Sequence, residues 1–140
     1  MIAIFKTLKF LKKDLNEYLT NYWSFENGQM TDMIGKANMI QGNLTSFTTD
    51  RFGNMNSSLA LNGGWTQVPS GVYFNTPEFT ISAWVYPFKV GSSACLIDFS
   101  NINDMDSVYV CIDSQMPSFG LYNATRLVGV ATSSEVLTSS

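Results

Sequence analysis

From Thr20 onward the chain is cut into short apolar stretches by clusters of Gly, Asn, Asp, Ser and Pro. Stretches that short cannot form helices with a long buried face, and regular turn punctuation is how a β-sandwich or barrel reads. The predicted strands are residues 21–26, 44–48, 58–61, 65–68, 79–86, 94–99, 107–112, 118–122 and 126–131. A set of that size needs two sheets or a barrel. In residues 79–86, Phe79, Ile81, Ala83 and Val85 share one face while Trp84 and Tyr86 occupy the other, which predicts a central strand. Composition points the same way, with 9 Val, 8 Ile, 12 Thr, 10 Phe, 6 Tyr and 3 Trp against only 7 Ala and 4 Glu.

The first 19 residues read differently. Lys6, Lys9, Lys12 and Lys13 precede any acidic residue, and Ile4, Leu8, Leu11, Leu15 and Tyr18 or Leu19 recur at the spacing of one helical face. The spacing predicts an amphipathic helix over residues 3–18, serving as a linker or packing helix, with a membrane-surface helix as the alternative. Lys6 and Lys9 interrupt any apolar core of a signal peptide, and no small-residue cleavage site follows. The division expected is therefore residues 1–19 as helix or linker and 20–140 as one β domain, with no further boundary.

Composition also excludes. The chain has 140 residues, 8 basic against 11 acidic, and a net charge of −3, so an extended phosphate-binding surface and nucleic acid are poor expectations. No apolar run approaches the roughly 18 residues of a membrane span. The absence of any His removes Ser/His/Asp and Cys/His nucleophiles and His-containing zinc sites together.

Five segments carry a resemblance. They are Tyr22-Trp23-Ser24-Phe25-Glu26-Asn27-Gly28, Asp32-Met33-Ile34-Gly35, Asp50-Arg51-Phe52-Gly53, Ser58-Leu59-Ala60-Leu61-Asn62-Gly63 and Phe79-Thr80-Ile81-Ser82-Ala83-Trp84-Val85-Tyr86-Pro87. Their order and spacing over roughly residues 20–132 resemble laminin-G-like domains of the concanavalin A-like lectin/glucanase superfamily. That resemblance implies an all-β antiparallel β-sandwich, a jelly roll, that is C-terminally truncated, because a further Trp-bearing strand and an Asn-Gly strand would be expected to follow. Missing strands would leave open sheet edges that favour self-association. The resemblance further implies an extracellular or cell-surface recognition module binding a glycan or an extracellular protein. The alternative is a structural or cryptic fragment with no ligand site of its own.

Catalysis is not expected. Glucanases of this superfamily set two carboxylates along one strand, roughly 5 to 5.5 Å apart, whereas here the one close pair, Asp104 and Asp106, falls in a turn, and Glu26, Glu78 and Glu135 are isolated. Calcium at the sandwich rim is what the resemblance implies as a cofactor, with Asn27, Asp32 and Asp50 in the loops as its candidate ligands, against ordinary turn capping by the same residues. A sugar site would use Trp65, after Gly63-Gly64, together with Tyr73, against packing of Trp65 within a strand. Cys95 and Cys111 fall in consecutive predicted strands. A hairpin centred on Asn103 would place Cys95 opposite Cys111, Ile97 opposite Tyr109 and Phe99 opposite Ser107, open to a disulfide, with buried free thiols as the alternative.

Overall fold

A computed structural model of the chain describes residues 2–6, 18–87, 93–100, 106–124 and 126–136. Its strands are β1 Ile2–Lys6, β2 Leu19–Trp23, β3 Ile40–Gln41, β4 Thr45–Thr48, β5 Ser58–Leu61, β6 Thr66–Gln67, β7 Phe79–Ala83, β8 Ala94–Ser100, β9 Ser107–Asp113, β10 Met116–Asn123 and β11 Arg126–Thr132. Every pairing is antiparallel. The all-β class expected from the turn punctuation is therefore the class observed. Among the described residues no helix is long and apolar enough to cross a membrane.

The chain divides into two compact units, residues 1–84 and 85–140. In the first, a three-stranded sheet runs β2-β1-β7, and β3-β6 and β4-β5 form two-stranded ribbons. The predicted amphipathic helix does not begin where it was placed, because residues 2–6 form β1. The Ile-Ala-Ile-Phe sequence suits a strand, and β2 and β7 satisfy the backbone of β1 on both sides. Within residues 2–6 long-range pairing overrides the helical spacing, and the rest of that spacing, in residues 7–17, lies outside the described residues. The strand predicted at 79–86 ends at Ala83, and β7 is an outer strand of its sheet rather than a central one, because β1 takes the middle position.

The core of this unit sits under β2. Trp23 is only 1% exposed and its Nε1–H donates to the Ala37 carbonyl at 2.8 Å, so the ring is buried without leaving its polar atom unpaired. Phe25, also buried, holds φ at 63°, a left-handed conformation that a bulky residue adopts only where its surroundings dictate it.

The second unit is a meander, β8-β9-β10-β11, with Ile97, Cys111, Ile112 and Ser118 buried. Ser114 and Gln115, at φ 49° and 72°, make the two-residue turn between β9 and β10, the handedness that suits a twisted hairpin. Gly120 lies opposite Tyr109, whose ring occupies the space a side chain at 120 would need. The Tyr109 and Tyr122 rings stand 6.0 Å apart, so an aromatic pair covers the glycine gap in β10.

Both outer strands of the meander are bulged. Leu96 of β8 is left over between the Cys95–Cys111 and Ile97–Val110 pairs, and Val128 of β11 between the Leu121–Gly129 and Tyr122–Leu127 pairs. The register also shifts on β2, an outer strand of the three-stranded sheet, where Ile4 pairs with Asn21 and Phe5 with Leu19. Of the outer strands, β2, β8 and β11 therefore carry an interrupted edge, while β7 and the two ribbons pair without a bulge. A bulge breaks the even row of donors and acceptors that another chain would need for pairing.

Candidate functional site

Asp32 opens the turn Asp32-Met33-Ile34-Gly35, which folds back on β2. Its Oδ1 accepts the backbone N–H of Tyr22 at 2.9 Å, Ile34 at 3.1 Å and Gly35 at 3.0 Å, and its Oδ2 accepts the Asn21 side-chain amide at 2.6 Å and the Ala37 N–H at 3.0 Å. The Asp32 N–H donates to the Asn38 side chain at 3.0 Å. Asp32 is 3% exposed. Burial raises its pKa, but the Tyr22 N–H, the Asn21 amide and the Gly35 and Ile34 N–H groups outweigh it, and the carboxyl is held below its ordinary value of 3.8.

Asp50 does the same job on the surface, in the loop between β4 and β5. Its Oδ1 takes the N–H of Phe52 at 2.8 Å and of Asn54 at 2.9 Å, while Oδ2 takes the Asn54 amide at 2.9 Å. The Asn54 side chain is the main cause that lowers the Asp50 pKa. Asn27 lies in a 3-10 turn at φ 54°, exposed, with the adjoining Gly28 N–H donating to the Asn56 carbonyl at 2.6 Å.

The carboxylate of Asp32 does not fit calcium. The ion takes six to eight oxygens, and two lone pairs on each Asp32 oxygen are already outnumbered or matched by N–H donors. Among the described residues no three His, Cys, Asp or Glu side chains come together as a metal site. The Asx-turn alternative accounts for Asp32 and Asp50. We expect millimolar calcium to leave the melting temperature of the protein unchanged within about one degree, where a site filled to a hundred times its Kd would add about 2.7 kcal/mol. A calcium-dependent rise that is lost in the Asn27→Ala, Asp50→Ala double variant would return these loops to metal binding.

Trp65 is not a packed strand residue. β6 begins one residue later, and Trp65 is 55% exposed. Its backbone is nevertheless fixed, with its N–H donating to the Asn43 carbonyl at 3.1 Å. The absence of a side chain at Gly42 lets that residue lie against the indole, since a Cβ there would fall 2.6 Å from Cε3 and 2.8 Å from Cδ2. The result is an open ring on an ordered seat, with the amide residues Asn62 and Gln67 close to it in the chain and Asn43 joined to its backbone. Gly42 is a positioning residue that the sequence reading missed; Gly63-Gly64 before Trp65 was the visible signal of an unusual turn, and Gly42 had none.

Tyr73 is half-buried, and its hydroxyl donates to the Pro69 carbonyl at 2.7 Å. Burial raises its pKa first, and the negative charge of Asp32 raises it further. Among the described residues no other ring stacks on Trp65, so Trp65 and Tyr73 are not brought together as an aromatic pair. No protein-family model, no curated protein and no solved structure matches the chain.

Proposed function

We propose that the protein is a non-catalytic recognition module, of the laminin-G-like kind its motifs resemble, that binds carbohydrate through Trp65. In this reading the antiparallel sheets belong to a jelly roll, and the protein works outside the cell or at its surface. The observation that carries it is the open, well-seated indole of Trp65, 55% exposed on a backbone that Gly42 and Asn43 hold in place. A large exposed aromatic ring on an ordered loop is a surface on which the C–H face of a sugar stacks. Tyr73, whose hydroxyl donates to the Pro69 carbonyl, is not a second stacking ring in this reading.

Glycan-array binding followed by titration of the selected neutral oligosaccharide tests the proposal. Tryptophan fluorescence should change on binding, and Trp65→Ala should weaken binding by about tenfold or more while leaving the melting temperature within about two degrees of wild type. Wild-type protein that binds no glycan, or a Trp65→Ala variant that binds as well as wild type, would remove Trp65 from this role.

A further inference from the structure

We propose that Arg51, with the rings of Phe52 and Trp84, forms a second site, one that takes the carboxylate of a hexuronic acid unit in an acidic carbohydrate. The Arg51 Cζ lies 4.4 Å from the centroid of the Phe52 ring and 3.7 Å from that of Trp84. Both rings are open to solvent, at 74% and 61% exposure. An exposed arginine is ordinarily a mobile side chain that loses rotamer freedom when it binds. Here two cation–π contacts hold the guanidinium before any ligand arrives.

Among the described residues Arg51 has neither a hydrogen bond nor an ion pair. The adjacent acid, Asp50, turns both its oxygens to Phe52 and Asn54, so among the described residues it does not pair with Arg51, and it fixes the loop that carries the guanidinium. A guanidinium presents a planar fork of donors that matches a carboxylate at two points, and a lysine does not. The exposed parts of Phe52 and Trp84 beside it offer apolar surface to the C–H face of the sugar that bears the carboxylate. A hexuronic acid unit supplies both features on one ring. The carboxylate part of this proposal stands on Arg51 alone, and the sugar part rests on the carbohydrate reading above.

The test is calorimetric titration at neutral pH with trigalacturonate as the probe, beside an uncharged trisaccharide, a sulfated trisaccharide and a glutamate-rich peptide. Wild type should bind trigalacturonate about tenfold or more tighter than the uncharged sugar. Arg51→Gln should abolish that preference, Arg51→Lys should recover only a small part of it, and Phe52→Leu should weaken it at an unchanged charge. Trp65→Ala should keep the preference, so that failure at Trp65 and failure at Arg51 are separable. The proposal is overturned if Arg51→Gln binds trigalacturonate like wild type, if Arg51→Lys does so, or if the sulfated sugar or the peptide binds as tightly as trigalacturonate.

Discussion

Asp32→Ala should destabilise the protein by about 3 to 4 kcal/mol, among the larger effects a single substitution produces. The cause is accounting of donors. Removing the carboxylate leaves the N–H groups of Tyr22, Ile34, Gly35 and Ala37 and the Asn21 amide without their acceptor, around a position that is 3% exposed. An unsatisfied buried donor costs about 1 to 3 kcal/mol, and water reaches some of these groups once the side chain is gone, so the sum is less than five full penalties. Asp32→Asn should lie between, at about 2 kcal/mol, since one oxygen remains for the Tyr22, Ile34 and Gly35 donors while an amide NH₂ would face the donors from Asn21 and Ala37. Urea unfolding of the three proteins at neutral pH measures the order, and equal stabilities would show that Asp32 is no clamp.

The same carboxylate makes a pH prediction with a fixed sign. Its folded-state pKa is lowered below 3.8, so the unfolded chain binds the proton more readily. The stability contributed is fully present above the unfolded value and is lost as pH falls through the lower folded value. Wild type should therefore lose stability to acid below about pH 4 more steeply than Asp32→Asn, which has no carboxyl to protonate there.

What was legible from the sequence follows a physical division. β5, β8, β9 and β11 show themselves because each is a short run of strand-forming residues between turn residues, and that information is local. β1 does not, because its partners are β2 and β7, the latter more than seventy residues away, and nothing in Ile2–Lys6 itself reports them. Asp32 could be read as a turn-capping residue from Asp-x-x-Gly, but its burial depends on Asn21 and Tyr22, which pass beside it only when β2 is formed. Trp65 stood out as a large aromatic after two glycines, whereas its exposure is set by Gly42 and Asn43, and periodicity carries no record of them. Arg51 gave no signal of its own. Its two rings come from the next residue and from a position beyond the end of β7, and their meeting is a product of the folded chain.

Reducing the bond between Cys95 and Cys111 should cost about 2 to 3 kcal/mol and lower the melting temperature by several degrees. The structure joins the two sulfurs across a sequence separation of 16, for which loop closure in the unfolded chain alone gives about 3 kcal/mol. Cys95 pairs with Cys111 in register, but the ladder beyond them does not follow the arrangement expected from a hairpin centred on Asn103. Ile97 pairs with Val110 rather than Tyr109, and Phe99 with Val108 rather than Ser107. Leu96 is the reason, since one extra residue on β8 advances every later pair by one. Most of the turn itself, residues 101–105, lies outside the described residues. Among the described residues β8 is an outer strand with β9 as its single partner, and the bulge leaves only Ala94 and Cys95 paired on its far side. The covalent link therefore holds the part of β8 that backbone hydrogen bonds hold least. Hydrogen exchange in Cys95→Ala, Cys111→Ala protein should speed up in β8 well before β10, which has neighbours on both sides. Alkylation of folded protein from an oxidising compartment, with and without prior reduction, decides whether the bond forms. Two alkylated cysteines in the unreduced sample would show free thiols, and would also take away the support that a disulfide lends to the proposed extracellular role.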